Sequence, residues 1–152
     1  MTATTTLTAR PGVVQNEIDI AANPPTVFDF VTDITHETAW NPKLRQVVSL
    51  TDGPVRQGAR FGLRLSGTGW MTTEIVAFRP PTFWAAVGRS RRLDVRSEAE
   101  VAGTRHGSRL VVRTLLVPHG PLRLVTPGLR AIIRRHWYDN LRSIKSILET
   151  AS

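Results

Sequence analysis

LRLVTPGLRAIIRRHWYDNLRSIKSILETA, residues 122–151, is the stretch whose reading decides the fold. At 100° per residue, Leu129, Ile132, Ile133, Ile144 and Ile147 gather on one side of a helix, and His136 and Asn140 fall near the centre of that side. Arg134, Tyr138, Arg142, Lys145 and Glu149 take the opposite face, which the pattern predicts to be solvated. Pro127 inside a continuous helix would cost about 3 kcal/mol, so the main helix is expected to begin near it, after a looser turn. An apolar stripe with two hydrogen-bonding side chains at its centre has two readings: a core that satisfies them internally, or a wall that offers them to a ligand.

Upstream of that helix lie six short extended runs, 44–51, 59–65, 70–78, 82–88, 93–101 and 108–117. Asp52-Gly53-Pro54, Ser66-Gly67-Thr68-Gly69, Pro80-Pro81, Ser90 to Arg92 and Ala102-Gly103 separate them, and connections this short make neighbouring strands antiparallel. The run 93–101 alternates most plainly. Leu93, Val95, Ser97, Ala99 and Val101 oppose Asp94, Arg96, Glu98 and Glu100, which predicts one covered and one wet face. Further upstream, 13–21 reads as a strand. Asn23 with Pro24 and Pro25 then offers a cap and first turn to a short helix carrying Val27, Phe28, Phe30 and Val31. A second small helical turn holds His36, Thr38 and Trp40 until Asn41-Pro42 ends it. One strand, two short helices, six strands and a long helix predict an α+β domain, in which one helix covers the apolar face of an antiparallel sheet.

The 152 residues suffice for one domain with its own core, expected over 12–152, with a frayed N-terminus over 1–11. There is no cysteine, which excludes disulfides and thiolate chemistry. The start, MTATTTLTARPG, has no apolar signal region and no run is long enough to span a bilayer, so the expectation is a cytoplasmic protein without integral membrane association. The net charge is +8, and since only Lys43 and Lys145 are lysines, 18 of the 20 basic residues are arginine. These arginines are spread over most segments without interleaved aromatic stacking platforms. The expected reading is a solvated basic surface, with no nucleic acid as partner.

Five pieces in order carry a resemblance: the first strand followed by AANPPTVFDFVTDITHETAWNPKL, then GARFGLRL, EIVAFRPPTFWAAV hinged on two prolines, TRHGSRLVV, and the closing LRSIKSILET. Together they resemble the START-related superfamily, also called polyketide cyclase/dehydrase, Bet v 1-like or SRPBCC. The resemblance implies a helix-grip fold: a seven-stranded antiparallel sheet wrapped around a long C-terminal helix, with two short helices after the first strand. It also implies an internal cavity that in relatives holds apolar or amphipathic molecules such as polyketides and lipids. Some relatives cyclise or dehydrate polyketide chains and others carry lipids or sense ligands, so the fold alone does not choose between them.

His136 is the candidate catalytic residue, because a neutral imidazole can move a proton, and Asn140 one turn on can orient a carbonyl. Leu129, Ile133 and Trp137 on the same helix, with Phe61, Leu63 and Trp84 on the strands, are expected ligand contacts. His36 and Trp40, four residues apart and so on one helical face, are expected at the cavity mouth. On the strand 70–78 the preferred parity puts Thr73 and Ile75 inside and Glu74 outside; one bulge would flip every later side chain. His106 and His119 fall in turns. The histidines show no metal-ligand spacing and there is no phosphate-binding loop, so neither a metal nor a cofactor is expected. Three functions stay open: a binding domain for a small hydrophobic or amphipathic molecule, a cofactor-independent cyclase or dehydratase using His136 as general acid or base, and a peripheral lipid-binding protein. Pairing into a homodimer stays open too.

Overall fold

The computed structural model describes Leu7, residues 11–67 and residues 69–151. The chain runs β1 (Val13–Ile20), α1 (Pro24–Thr32), a 3-10 helix (Ile34–Ala39), β2 (Leu44–Ser49), β3 (Arg60–Leu65), β4 (Gly69–Arg79), β5 (Phe83–Arg89), β6 (Leu93–Thr104), β7 (Gly107–Pro118), a second 3-10 helix (Gly120–Val125) and α2 (Thr126–Thr150). Every element expected from the sequence is present, with ends displaced by a few residues. The strands form one antiparallel sheet in the order β1-β7-β6-β5-β4-β3-β2. Hairpins join β2 through β7 in sequence, whereas α1 and the first 3-10 helix carry the chain from β1 at one edge to β2 at the other. Asn23 starts α1 as its residue type predicts, its Oδ1 accepting from the Thr26 N–H at 2.9 Å. At α2, Pro127 sits in the first turn and the preceding residues take the tighter 3-10 path.

One irregularity sets which side chains face inward. The register between β4 and β5 shifts between Ile75 and Ala77. Thr73 and Ile75 are buried on the inner face, as the preferred parity has it. The extra residue at Val76 then turns Ala77 to the outer face, where it packs with Phe83 and Ala85. Phe78 comes back inward, tilted against Phe28 with ring centroids 5.5 Å apart.

Two expectations about the outer face are corrected. Glu98, expected on a wet face, is 1% exposed and anchors Leu7, whose backbone N–H lies 2.9 and 2.7 Å from its two carboxylate oxygens. Leu7 itself is buried, so the stretch expected to be frayed has at least one docked residue; the rest of 1–10 lies outside the described residues. Arg96 completes the site at 3.0 Å from Glu98, which supplies a buried carboxylate with the partners it needs.

α2 packs unevenly along its length. Its buried residues, Asn140, Leu141, Ile144 and Leu148, all lie in the C-terminal half, where the three aliphatic ones join Phe28, Val101 and Leu110 in the main core. The helical wheel gave Ile144 but missed Leu141 and Leu148, and Ile132 on the same wheel is 53% exposed. The face expected to be solvated is instead fastened to β1. The Asn16 side chain donates to the Arg134 carbonyl at 3.1 Å, Lys145 Nζ donates to the Asp19 carbonyl at 2.7 Å, and the Ala21 N–H donates to Glu149 Oε2 at 2.8 Å. Lys145, then the Ala21 N–H, hold the Glu149 carboxyl below its ordinary range. This polar seam fixes the helix along one edge of the sheet and leaves its N-terminal half free to stand off the centre.

Candidate functional site

Small side chains on the central strands create open space beneath that standing-off half. Ala86 and Gly88 on β5 and Ser97 and Ala99 on β6 line the floor of a cavity of about 370 Å³, and Leu129, Ile133, His136 and Trp137 of α2 form its roof. A Cβ on Gly88 would lie 2.4 Å from Met71 Sδ, so the absence of a side chain there makes room for Met71 on the cavity wall. The end wall comes from the first 3-10 helix. Such a helix has three residues per turn, so Ile34, Glu37 and Trp40 share one side, and all three line the cavity. Trp40 closes against Trp137 with ring centroids 5.9 Å apart, joining this end to α2.

Polar groups are few and placed. Asn140 Nδ2 lies 3.2 Å from His136 Nε2 and donates to it, which leaves the imidazole proton on Nδ1. Burial first, and the Lys43 charge second, push the His136 pKa below its ordinary 6.5, against a weaker opposing pull from Asp139, so the ring is neutral at pH 7. Glu37 is the second titratable group. Burial raises its pKa from 4.5 to about 7, against the Asn41 side-chain N–H, which donates to its Oε1 at 2.9 Å. Trp40 Nε1, Trp84 Nε1 and Thr114 Oγ1, all on lining residues, are buried without a hydrogen-bond partner among the described residues. Leaving such groups unpaired costs roughly 1–3 kcal/mol each, a cost a ligand with matching acceptors would recover.

Seven of the ten site residues expected from the sequence line this cavity: His136, Leu129, Ile133, Trp137, Trp40, Leu63 and Trp84. Asn140 is fully buried behind His136 and positions it rather than facing the space. The other two do not line the open volume. The His36 side chain is 74% exposed and bonded to Asp33 at 2.5 Å, because the 3-10 geometry puts residues three apart, not four, on one side. Phe61 points inward but is packed among Ile34, Leu44 and Ile75, away from the open volume. Glu37, Lys43 and Thr114 also line the cavity and were not picked out. For Glu37 a three-residue period from Ile34 to Trp40 was the available signal.

No helix among the described residues is long and apolar enough to cross a membrane. No curated protein matches the sequence closely enough to count as a relative. Solved structures share the fold at low identity. A START superfamily protein from Mycobacterium smegmatis is 13% identical with a TM-score of 0.78, over 92% of this chain and 99% of that one. The Zhui aromatase/cyclase from Streptomyces sp. R1128 is 16% identical with a TM-score of 0.76, over 90% and 93%. A hypothetical protein from Helicobacter pylori is 15% identical with a TM-score of 0.78, over 96% and 99%. In sequence, residues 11–149 match the family described as polyketide cyclase / dehydrase and lipid transport. With a seven-stranded sheet gripping a long C-terminal helix and a family match over nearly its whole length, the chain belongs to the polyketide cyclase/dehydrase and lipid transport family and shares the helix-grip fold of START proteins.

Proposed function

We propose that this protein binds a small hydrophobic or amphipathic molecule in the space between the sheet and the first half of α2. The observation that carries the reading is the cavity itself: about 370 Å³, mostly apolar, with His136 and Glu37 as neutral-leaning polar groups on its wall. A buried charge would demand a charged ligand. Lys43, the cation of the lining, is exposed to solvent, and the two groups shifted toward their neutral forms favour an uncharged ligand with hydroxyl or carbonyl substituents. Trp40, Trp84 and Trp137 line the cavity and the fourth tryptophan, Trp70, is exposed, so occupancy should quench the intrinsic fluorescence. Titration with the uncharged fluorophore N-phenylnaphthylamine tests this. Saturable binding that is lost in Ala86→Phe, with unchanged circular dichroism, supports the reading; equal binding to both proteins defeats it.

A second reading, a cofactor-independent cyclase or dehydratase, is favoured by one feature. Glu37 in the end wall is held near pH 7, where it can donate a proton, and His136 in the roof of the same cavity is held neutral, where it can accept one. His136 Nε2 is occupied by Asn140, so it acts as a base only after that hydrogen bond opens. For an enzyme, His136→Ala should abolish turnover while ligand affinity stays within about tenfold; equal loss of both returns His136 to binding. Should His136→Leu stabilise the fold and leave binding intact, neither role stands.

A further inference from the structure

The second 3-10 helix buries none of its residues. Leu124 is 86% exposed and Val125 53%, an unusual presentation for consecutive aliphatic side chains. Ile132, two turns into α2, is 53% exposed and also lines the cavity, so apolar surface runs from this projecting turn into the interior. The charge around it is mostly positive, Asp94 being paired with His119 and Asp139 with Arg135. Between Glu100 and Asp139 the chain has no acidic residue, while Arg123, Arg130, Arg134 and Arg135 fall within the 3-10 helix and the first turns of α2. The β5–β6 turn is tied to the same end of the sheet, the His119 N–H donating to the Arg92 carbonyl at 2.8 Å, and it brings exposed Arg91 and Arg92.

We propose that this rim, Leu124, Val125 and Ile132 with the surrounding arginines, docks on an anionic lipid bilayer and sets the cavity mouth against it. Aliphatic side chains on a projecting turn match the acyl boundary, and guanidinium groups at their flanks match a layer of phosphate headgroups. A second copy of the chain fits worse. A two-fold interface through this patch would oppose the arginines of one protomer to those of the other, and the nearby carboxylates are already engaged, Asp94 with His119 at 3.1 Å and Asp139 with Arg135 at 3.4 Å. The docking surface rests on the cavity reading for its purpose, the transfer of an apolar ligand, though not for its existence.

Co-sedimentation with phosphatidylcholine vesicles, with and without phosphatidylglycerol, at low and high salt, tests the proposal. Binding only to the anionic vesicles, weakened by salt and reduced at least about tenfold in the Leu124→Glu/Val125→Glu variant, is the expected result. N-phenylnaphthylamine affinity in solution should be the same in that variant as in the parent, since neither residue lines the cavity. Absence of binding to anionic vesicles at low salt, or unchanged binding by the variant, overturns the docking surface. So does a dimer in sedimentation velocity that dissociates in the variant while vesicles are ignored. Vesicle binding without any fluorophore binding would leave the docking surface standing and remove the ligand site.

Discussion

Glu37→Gln separates the cavity carboxyl from the rest of the protein's pH response. The substitution keeps the volume and keeps an oxygen to accept from Asn41, but it cannot ionise. In the wild type the unfolded carboxyl titrates at 4.5 and the folded one at about 7, so the fold holds a proton that the unfolded chain releases between those values. Stability from this group therefore falls as pH rises from 4.5 through 7, and is constant below the lower value and above the upper. At about 1.4 kcal/mol per pH unit, the difference between 4.5 and about 7 amounts to about 3 kcal/mol, an upper bound because Glu37 keeps some solvent contact. Much of this develops between pH 5 and pH 8. The stability gap between variant and wild type in urea unfolding should thus widen by about 2 kcal/mol, in the variant's favour, from the lower to the higher pH. His136 runs the other way, its depressed pKa making the fold lose stability as pH falls below 6.5, but it is common to both proteins and drops out of the difference. A gap that is the same at both pH values would refute the placement of Glu37 in a shielded wall.

Three further outcomes follow from the packing. Gly107→Ala puts a Cβ 2.2 Å from the Ile20 carbonyl oxygen and 2.9 Å from the Ala22 nitrogen, both backbone atoms, and should cost more than about 3 kcal/mol in thermal unfolding; a change under 1 kcal/mol would mean the β6–β7 turn does not sit against the end of β1. Gly88→Ala meets the flexible Met71 at 2.4 Å and Thr73 Oγ1 at 3.3 Å, both side chains, so it should cost no more than about 1–2 kcal/mol yet push Met71 into the cavity and weaken N-phenylnaphthylamine binding, with Met71→Ala restoring it in the double variant. Glu98→Ala strips Leu7 and Arg96 of their shared partner and should destabilise by about 2–4 kcal/mol while making the N-terminal segment a faster target in limited proteolysis; unchanged cleavage would refute the anchoring role.

Much of this fold was legible because it is locally written. Pro24-Pro25 and Pro127 mark helix starts through their fixed φ, and the Thr73/Ile75 parity follows from a period of two. What was not legible depends on distant segments. Glu98 reads as wet from its neighbours, yet it is buried, with Leu7, 91 residues away, bonded to its carboxylate. The extra residue at Val76 leaves no mark in composition. His36 was grouped with Trp40 by the α-helical period, where the segment is a 3-10 helix, and the same choice hid Glu37, which shares a side with Trp40 only at three residues per turn. His136 was found because the long helix has a reliable period, yet Asn140's place behind it, rather than beside it, needed the packing of Leu141 and Ile144.

The polar seam between α2 and β1 also bears on how such a protein can diverge. Each of its three hydrogen bonds ends on a main-chain atom, the carbonyls of Arg134 and Asp19 and the N–H of Ala21, so half of every pair survives any side-chain change at that position short of proline. The helix is thereby held at the sheet's edge by contacts that do not involve the cavity's lining. Ala86, Ser97, Thr114 or Ile133 can be exchanged, reshaping the space for another guest, without loosening the element that roofs it. One frame can then serve many ligands, and a sequence can drift far while its architecture stays put.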